Sequence, residues 1–254
     1  MKLIPQVESA RYGDHTFALL MIAKVICVQL VNELGYDLLF QDVDIVWHKD
    51  PFEFFHESNS IGNFDAYFQD DGSRQERYAP FSANSGFYFI RSNPRTKILF
   101  RTMLYSGDLI IACRSHQQIL IALLEEYNSL LGLTVKVLSR EEDDFPGGYH
   151  YNMRKDFMRK MIDGKITPYI FHMSWTLNKV NKVEYLHQMG MWYLNDKCVG
   201  QEVAGILLGD DASNDVRGAC CSAEPIIKCH YSDKPSIIPC KDSPPIDKNG
   251  KSFW

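Results

Sequence analysis

Residues 36–51 read YDLLFQDVDIVWHKDP. This stretch is apolar on both sides of two carboxylates, with LLF at 38–40 and IVW at 45–47. If one strand runs from about Asp37 to Val46, Asp42 and Asp44 project from the same face, because side chains alternate along a strand. Buried carboxylates are costly unless they pair, protonate or hold a metal. A cation is therefore expected to face them.

The composition is that of a folded globular protein without a basic surface. Hydrophobic residues make up 45% of the 254 residues and charged residues 23%, which is enough to bury a sizeable core. The formal net charge is −5 and there is no Lys/Arg-rich run, so nucleic acid is not expected as a partner. The most apolar stretch, Phe17 to Val31, contains Lys24 and Gln29. It is predicted to be a core helix and not a membrane span.

Helix and strand patterns alternate along the chain. Asp14 is placed to cap a helix that runs to about Leu34, where Gly35 is placed to end it. Strand patterns follow at 65–69, 86–90, 133–138 and 168–172, and Asn93-Pro94 opens a helix between two of them. This order is typical of an α/β fold with a mainly parallel sheet flanked by helices.

Asp42 and Asp44 end an apolar strand just before a turn, which is where α/β sheets present ligand groups. Carboxylate oxygens suit Mg²⁺ or Mn²⁺, which usually also bind substrate phosphates. The alternative is that the two acids cap a loop or pair with Lys or Arg. The stretch extends to LGYDLLFQDVDIVWHKDPFEFF at 34–55. Two further strings accompany it, NSGFYFIRSNPRT at 84–96 and FHMSWTLNKVNKVEYLHQMGMWYL at 171–194.

Together these strings resemble the nucleotide-diphospho-sugar transferases of glycosyltransferase family 77. The resemblance covers about Tyr12 to Leu194. It implies a GT-A-like, Rossmann-like mixed sheet and a retaining transfer reaction of plant or algal type. It also implies a Mn²⁺ or Mg²⁺ ion at Asp42, Asp44 and His172, with Asp42 near the sugar or ribose and Asp44 on the metal. From its position alone, a histidine that follows an apolar strand, such as His172, is more often a buried structural histidine than a ligand.

The same resemblance assigns binding of the sugar donor to four residues on the first two strings. They are Gln41, Asn84, Ser85 and Gly86. Lys179 is expected to reach the diphosphate, with Lys182 as its rival.

Two further residues, Asp70 and Gln117, are predicted to have catalytic roles. Asp70 follows the predicted strand at 65–69, and from that position it is predicted to approach the sugar, with a hydrated loop acid as the alternative. Relatives place Asp-Gln at the start of a later helix, where this chain reads SHQQ at 115–118. The acid is then missing before Gln117, so retention would use a front-face displacement. Trp47 and Trp175 are predicted to lie in the core.

The ends of the chain suggest a shortened transferase. A GT-A domain ordinarily places one or two βα units before its acidic strand, whereas 36 residues precede Asp37 here. We expect a transferase domain at 1–197, with an incomplete nucleotide-binding unit, and a Cys-rich, loop-dominated extension at 198–254.

Five of the seven cysteines lie in this extension. Two disulfides are predicted, drawn from Cys198, one of Cys220 or Cys221, Cys229 and Cys240, because adjacent cysteines do not readily pair. A zinc site that uses His230 and the cysteines at 220, 221 and 229 is one alternative, and free thiols are another.

The function predicted on this basis is transfer of a sugar from a UDP-sugar or similar donor to a glycan or glycoprotein hydroxyl. Disulfides and the resemblance favour the Golgi lumen, with a membrane anchor that this chain does not carry. One alternative is an inactive fragment or pseudoenzyme that acts as a glycan-binding or scaffolding module. Another is a metal-dependent hydrolase, although the closely spaced His and Asp ligands usual in that class are lacking.

Overall fold

The computed structural model describes residues 5, 9–57, 62–176, 179–198, 220–226, 229–230 and 238–239. Contacts divide the chain into two compact units, residues 1–178 and 179–254. The predicted domain boundary after residue 197 falls inside the second unit and stays a prediction.

The first unit alternates helices and strands in the predicted manner. Its elements are α1 (His15–Glu33), β1 (Leu38–Gln41), β2 (Ile45–Trp47), α2 (Pro51–Glu57), β3 (Ala66–Asp70), β4 (Ala83–Ile90), α3 (Pro94–Tyr105), α4 (Gly107–Cys113), α5 (His116–Leu131), β5 (Val135–Leu138), α6 (Gly148–Met153), α7 (Lys155–Ile162) and β6 (Ile170–His172).

The main sheet has the strand order β1-β4-β3-β5. Strand β4 is antiparallel to both β1 and β3, while β5 is parallel to β3. Three of its four strands therefore run in one direction, and their carboxyl ends lie at the same edge. A second sheet pairs β2 with β6 antiparallel, with Ile45 opposite His172. The predicted mixed α/β architecture is confirmed.

Apolar side chains from both faces of the main sheet are buried. On one face Phe68 and Tyr88 pack with residues of α1, α3 and α5 such as Val25, Leu99 and Leu124. The other face forms a cluster with α2 and the loop before α6, comprising Phe55, Tyr67, Phe87, Phe89 and Phe145. Burial of both faces explains the nearly continuous apolar run in β4.

The single strand predicted from Asp37 to Val46 is wrong. The chain pairs with β4 through Gln41, turns at 42–44 and then pairs with β6 from Ile45. Asp42 and Asp44 thus lie in the turn between two sheets. The side chain of Val43 between them is fully exposed, whereas the side chain of Asp42 is about one-quarter exposed and that of Asp44 is 11% exposed.

Helix α1 has the predicted ends. Asp14 caps it by accepting a hydrogen bond from the Phe17 amide at 2.7 Å, and Gly35 follows with a φ of +90° that favours glycine. By length and composition alone this helix could cross a membrane. In the structure its face with Met21, Val25 and Val28 is buried in the core, as predicted for a core helix.

The second unit contains α8 (Lys179–Gln188), a 3₁₀ helix (Asp196–Cys198), β7 (Cys229–His230) and β8 (Ile238–Pro239). A disulfide joins Cys198 to Cys220, which confirms one predicted bridge and removes Cys220 from the alternative zinc site. Cys221 is a free, exposed thiol. The predicted second bridge falls on Cys240 and on the Cys229 side chain, which lie outside the described residues.

Candidate metal and sugar-donor site

Two carboxylates and an imidazole meet where the two sheets of the first unit adjoin. Ligand atoms of Asp42, Asp44 and His172 all lie within 4.8 Å of one another. The two acids come from the turn after β1, and His172 ends β6 opposite Ile45. The structure therefore brings together the three residues predicted as metal ligands. No other such group of His, Cys, Asp and Glu side chains occurs in the described part of the chain.

The buried side chain of Gln69 fixes how His172 faces this cluster. Its amide nitrogen donates to the carbonyls of Phe145 at 2.9 Å and Pro146 at 3.1 Å. Its oxygen therefore faces His172 and accepts a hydrogen bond from Nδ1 at 2.7 Å. The lone pair of His172 Nε2 is left pointing toward the acids, 3.4 Å from Asp44 Oδ1.

This arrangement fits a divalent cation. With Nδ1 donating to Gln69, Nε2 of a neutral imidazole and the carboxylate oxygens facing it are all acceptors, and a cation between them would pair with each. Two carboxylates and one imidazole form a mainly oxygen donor set, which suits Mn²⁺ or Mg²⁺.

Lys24 of α1 is a part of the site that the sequence analysis did not assign. Its Nζ lies 2.5 Å from Asp42 Oδ1, and both side chains are about one-quarter exposed. Pairing with Lys or Arg was the alternative stated for the two acids, and the structure shows it for Asp42. The available signal was a single lysine within the apolar stretch of α1, which was read only as an interruption of a membrane span.

Gly86 allows the backbone of β4 to approach the cluster. A Cβ added there would lie 2.7 Å from His172 Cε1 and 2.8 Å from Asp42 Oδ2, closer than real Cβ atoms come. The Gly86 carbonyl accepts from the Asp42 amide, and its own amide donates to Asn84 Oδ1, each at 2.7 Å. Gly86 and Asn84, both predicted for donor binding, therefore line the cluster.

Ser85 and Gln117 contact each other on the α5 side of β4. The Ser85 amide and hydroxyl both donate to Gln117 Oε1 at 3.0 Å, which ties the first turn of α5 to β4. The neighbouring His116 is buried. Burial, and then the positive charge of Lys24, lower its pKa from 6.5 to about 3, so it is neutral.

Asp70 is not the hydrated loop acid that the alternative supposed, because its side chain is 4% exposed. Arg74 donates to both Asp70 oxygens at 2.9 and 2.7 Å. Burial opposes ionisation of Asp70, but hydrogen bonds from Arg74 and backbone amides outweigh it and lower its pKa. Asp71 is also buried and accepts from Asn84 Nδ2 at 2.9 Å. The predicted approach of Asp70 to the sugar stays a prediction.

The core positions predicted for the two tryptophans are wrong. Trp47 is 44% exposed and Trp175 is 40% exposed. Trp47 lies at the end of the two-stranded sheet and donates its indole N–H to Gln41, another residue predicted for donor binding. Lys179 and Lys182 belong to the second unit, and their predicted contact with the diphosphate stays a prediction.

In α/β proteins, ligands bind at the carboxyl ends of the strands, and the possible metal ligands of this chain lie there. The fold and the site therefore place the chain among ligand-binding α/β proteins. Sequence comparison gives the family. Residues 3–186 match the family described as nucleotide-diphospho-sugar transferase, and the chain belongs to that family. The predicted resemblance to transferases of the family 77 kind is confirmed.

Several curated proteins are similar to the chain. A UDP-galactose:fucoside alpha-3-galactosyltransferase of Dictyostelium discoideum is 29% identical over 221 residues, which cover 80% of this chain and 32% of that protein. A UDP-D-xylose:L-fucose alpha-1,3-D-xylosyltransferase of Arabidopsis thaliana is 25% identical over 186 residues, 65% of this chain and 45% of that protein. The chain thus spans less than half the length of these two relatives. No solved structure matches it at a comparable level.

Proposed function

We propose that the chain is part of an enzyme that transfers a sugar from a UDP-sugar to a hydroxyl of a fucose-containing glycan or glycoprotein. The cluster of Asp42, Asp44 and His172 carries this proposal, because it lies within the segment that matches the family. The printed names of both relatives contain a UDP-sugar donor and a fucose or fucoside acceptor. These names support the donor and acceptor classes proposed for this chain.

The ion in this proposal is Mn²⁺ or Mg²⁺, held by Asp42, Asp44 and His172. When bound, it supplies positive charge to stabilise the departing diphosphate. Lys24 places a second positive charge beside Asp42, and the missing side chain at Gly86 leaves space next to both ligands.

The proposed reaction retains the anomeric configuration. Both relatives are named for alpha linkages, and UDP-galactose and UDP-xylose carry an alpha-linked sugar. Asp70 is held by Arg74, and the residue before Gln117, where relatives place an acid, is histidine. These features favour front-face displacement. The anomeric carbon–oxygen bond breaks toward the diphosphate, the acceptor oxygen bonds to the same face, and its proton passes to the leaving phosphate oxygen.

The proposed compartment is the Golgi lumen. The disulfide between Cys198 and Cys220 supports an oxidising compartment.

Substitution of Asp44 tests the proposed site. The Asp44→Asn variant preserves shape and removes one ligand charge, so we expect it to lose Mn²⁺-dependent binding of UDP in calorimetry. An Asp108→Asn variant is the matched control, because Asp108 is exposed on α4. Wild-type UDP affinity in the Asp44→Asn variant would contradict the proposal. A wild-type chain that binds UDP and a fucoside but transfers no sugar would instead favour the glycan-binding module.

A further inference from the structure

Trp175 is exposed and held in an uncommon backbone conformation three residues after His172. Its φ is +62°, in the left-handed region that bulky residues seldom adopt. Such conformations persist where the surrounding structure determines them, and they concentrate at ligand sites. Single exposed aromatic residues are ordinary, so exposure alone does not assign a role to this side chain.

Neighbouring residues fix the position of this indole ring. Its Nε1 donates to Asp71 Oδ2 at 3.3 Å, and the buried Asp71 also accepts from Asn84. On the other side, a Cβ added to Gly148 would lie 2.6 Å from Trp175 Cβ, so only glycine fits there. The Tyr149 ring stands edge-on with its centroid 6.4 Å away.

A chain of contacts connects this ring to the metal cluster. Asn84 bonds Asp71 through its nitrogen and the Gly86 amide through its oxygen, and the Cβ position of Gly86 lies 2.8 Å from Asp42 Oδ2. Outward from the cluster the order is Asn84, Asp71 and then Trp175. Beyond Asn84, which is predicted to bind the sugar donor, the surface is therefore the ring of Trp175 with the Asp71 carboxylate at its edge.

We infer that Trp175 is the platform on which the acceptor sugar, the fucose of the proposed function, places its apolar face. This inference rests on the proposed function. A 6-deoxyhexose presents a methyl group and ring C–H groups that can cover an indole face, as apolar ligand surfaces do in aromatic-lined sites. The Asp71 carboxylate repels a phosphate, which leaves a neutral sugar as the matching ligand.

Three variants test this platform. Trp175→Ala removes the ring, Trp175→Phe keeps an aromatic face without the N–H, and Tyr105→Ala is the control for an exposed aromatic residue on α3, outside the site. We expect Trp175→Ala to raise the KM for a methyl α-L-fucoside about tenfold, since truncation of an anchoring aromatic costs at least this much. Trp175→Phe should recover most of the affinity, and Tyr105→Ala should leave it unchanged. Mn²⁺-dependent UDP affinity should be the same in all three.

Tryptophan fluorescence measures fucoside binding without turnover. The fucoside should change the emission of wild type and of Trp47→Phe, but not that of Trp175→Phe. An unchanged acceptor KM in Trp175→Ala, or an equal loss of UDP affinity, would overturn the inference and leave the transferase proposal standing. Failure of the wild type to bind UDP would instead count against the proposed function. In that case a fucoside-dependent signal from Trp175 would still support the platform, and its absence would overturn it.

Discussion

At the scale of single residues, the metal site depends on a glutamine that no acidic motif indicates. Gln69 uses both ends of its amide, with the nitrogen on two backbone carbonyls and the oxygen on His172 Nδ1. Because the carbonyls fix which end of the amide is the acceptor, His172 is held as the tautomer whose Nε2 can bind a cation. A partner of this kind orients a histidine ligand and raises its affinity for metal.

Replacement of Gln69 should weaken metal binding by changing the orientation of His172. We expect Gln69→Leu to reduce Mn²⁺ affinity about 10- to 100-fold. The ¹⁵N shifts of the His172 ring in the metal-free protein report the tautomer directly. They should show Nδ1–H in the wild type and a mixture in Gln69→Leu. The exposed Gln75→Leu is the control, and wild-type shifts and affinity in Gln69→Leu would show that the glutamine has no such role.

At the scale of elements, local sequence predicted helix ends better than strand partners. Asp14 and Asn93 both cap helices as expected, because capping depends on the residues of one turn. The division of the 37–46 segment into β1 and β2 was missed, since the alternation of side chains is the same whether a strand continues or crosses to another sheet. The exposure of Trp175 was missed for a related reason, because a positive φ is set by tertiary contacts with Asp71 and Gly148.

Helix α5 begins with the buried His116. Because of this residue, the free energy of unfolding of the chain should depend on pH. Burial and Lys24 lower the His116 pKa to about 3 in the folded chain, against an ordinary value of 6.5. Between these values the unfolded chain binds the proton and the folded chain does not. The stabilisation is therefore complete above about pH 6.5 and declines by up to about 1.4 kcal/mol per pH unit as pH falls toward 3.

Comparison with His116→Gln isolates this effect from other groups that titrate in acid, including His150, whose pKa burial lowers to about 4. In urea unfolding from pH 7 to pH 5, wild type should lose more stability than the variant. Parallel curves would show that His116 does not titrate as described.

At the scale of the whole molecule, the sequence predicted the α/β architecture and the three residues of the acid–imidazole cluster. These predictions succeeded because apolar periodicity and the family strings extend over most of the first unit. The contact between Lys24 and Asp42 was not assigned, because α1 and the turn after β1 meet only after the helix packs on the sheet. The expectation of a facing cation came from electrostatics, and folding brought Lys24 to Asp42.

The cluster of Asp42, Asp44 and His172 lies where the turn at Val43 connects the main sheet to the two-stranded sheet of β2 and β6, the β2–β6 ribbon. Asp42 follows a strand of the main sheet, whereas His172 belongs to the β2–β6 ribbon, so an ion bound by both would act as a cross-link. Saturation at about 100 times the dissociation constant stabilises a native state by about 2.7 kcal/mol. We therefore expect Mn²⁺ with UDP to slow amide hydrogen exchange in β2 and β6 more than in α3, and the Asp44→Asn variant to abolish that difference. Equal slowing in α3 and the ribbon would show that the ion does not join the two sheets. If the cross-link forms, the β2–β6 ribbon is more stable in the metal-bound protein than in the metal-free protein. A protease should then cleave the ribbon more slowly when the ion is bound.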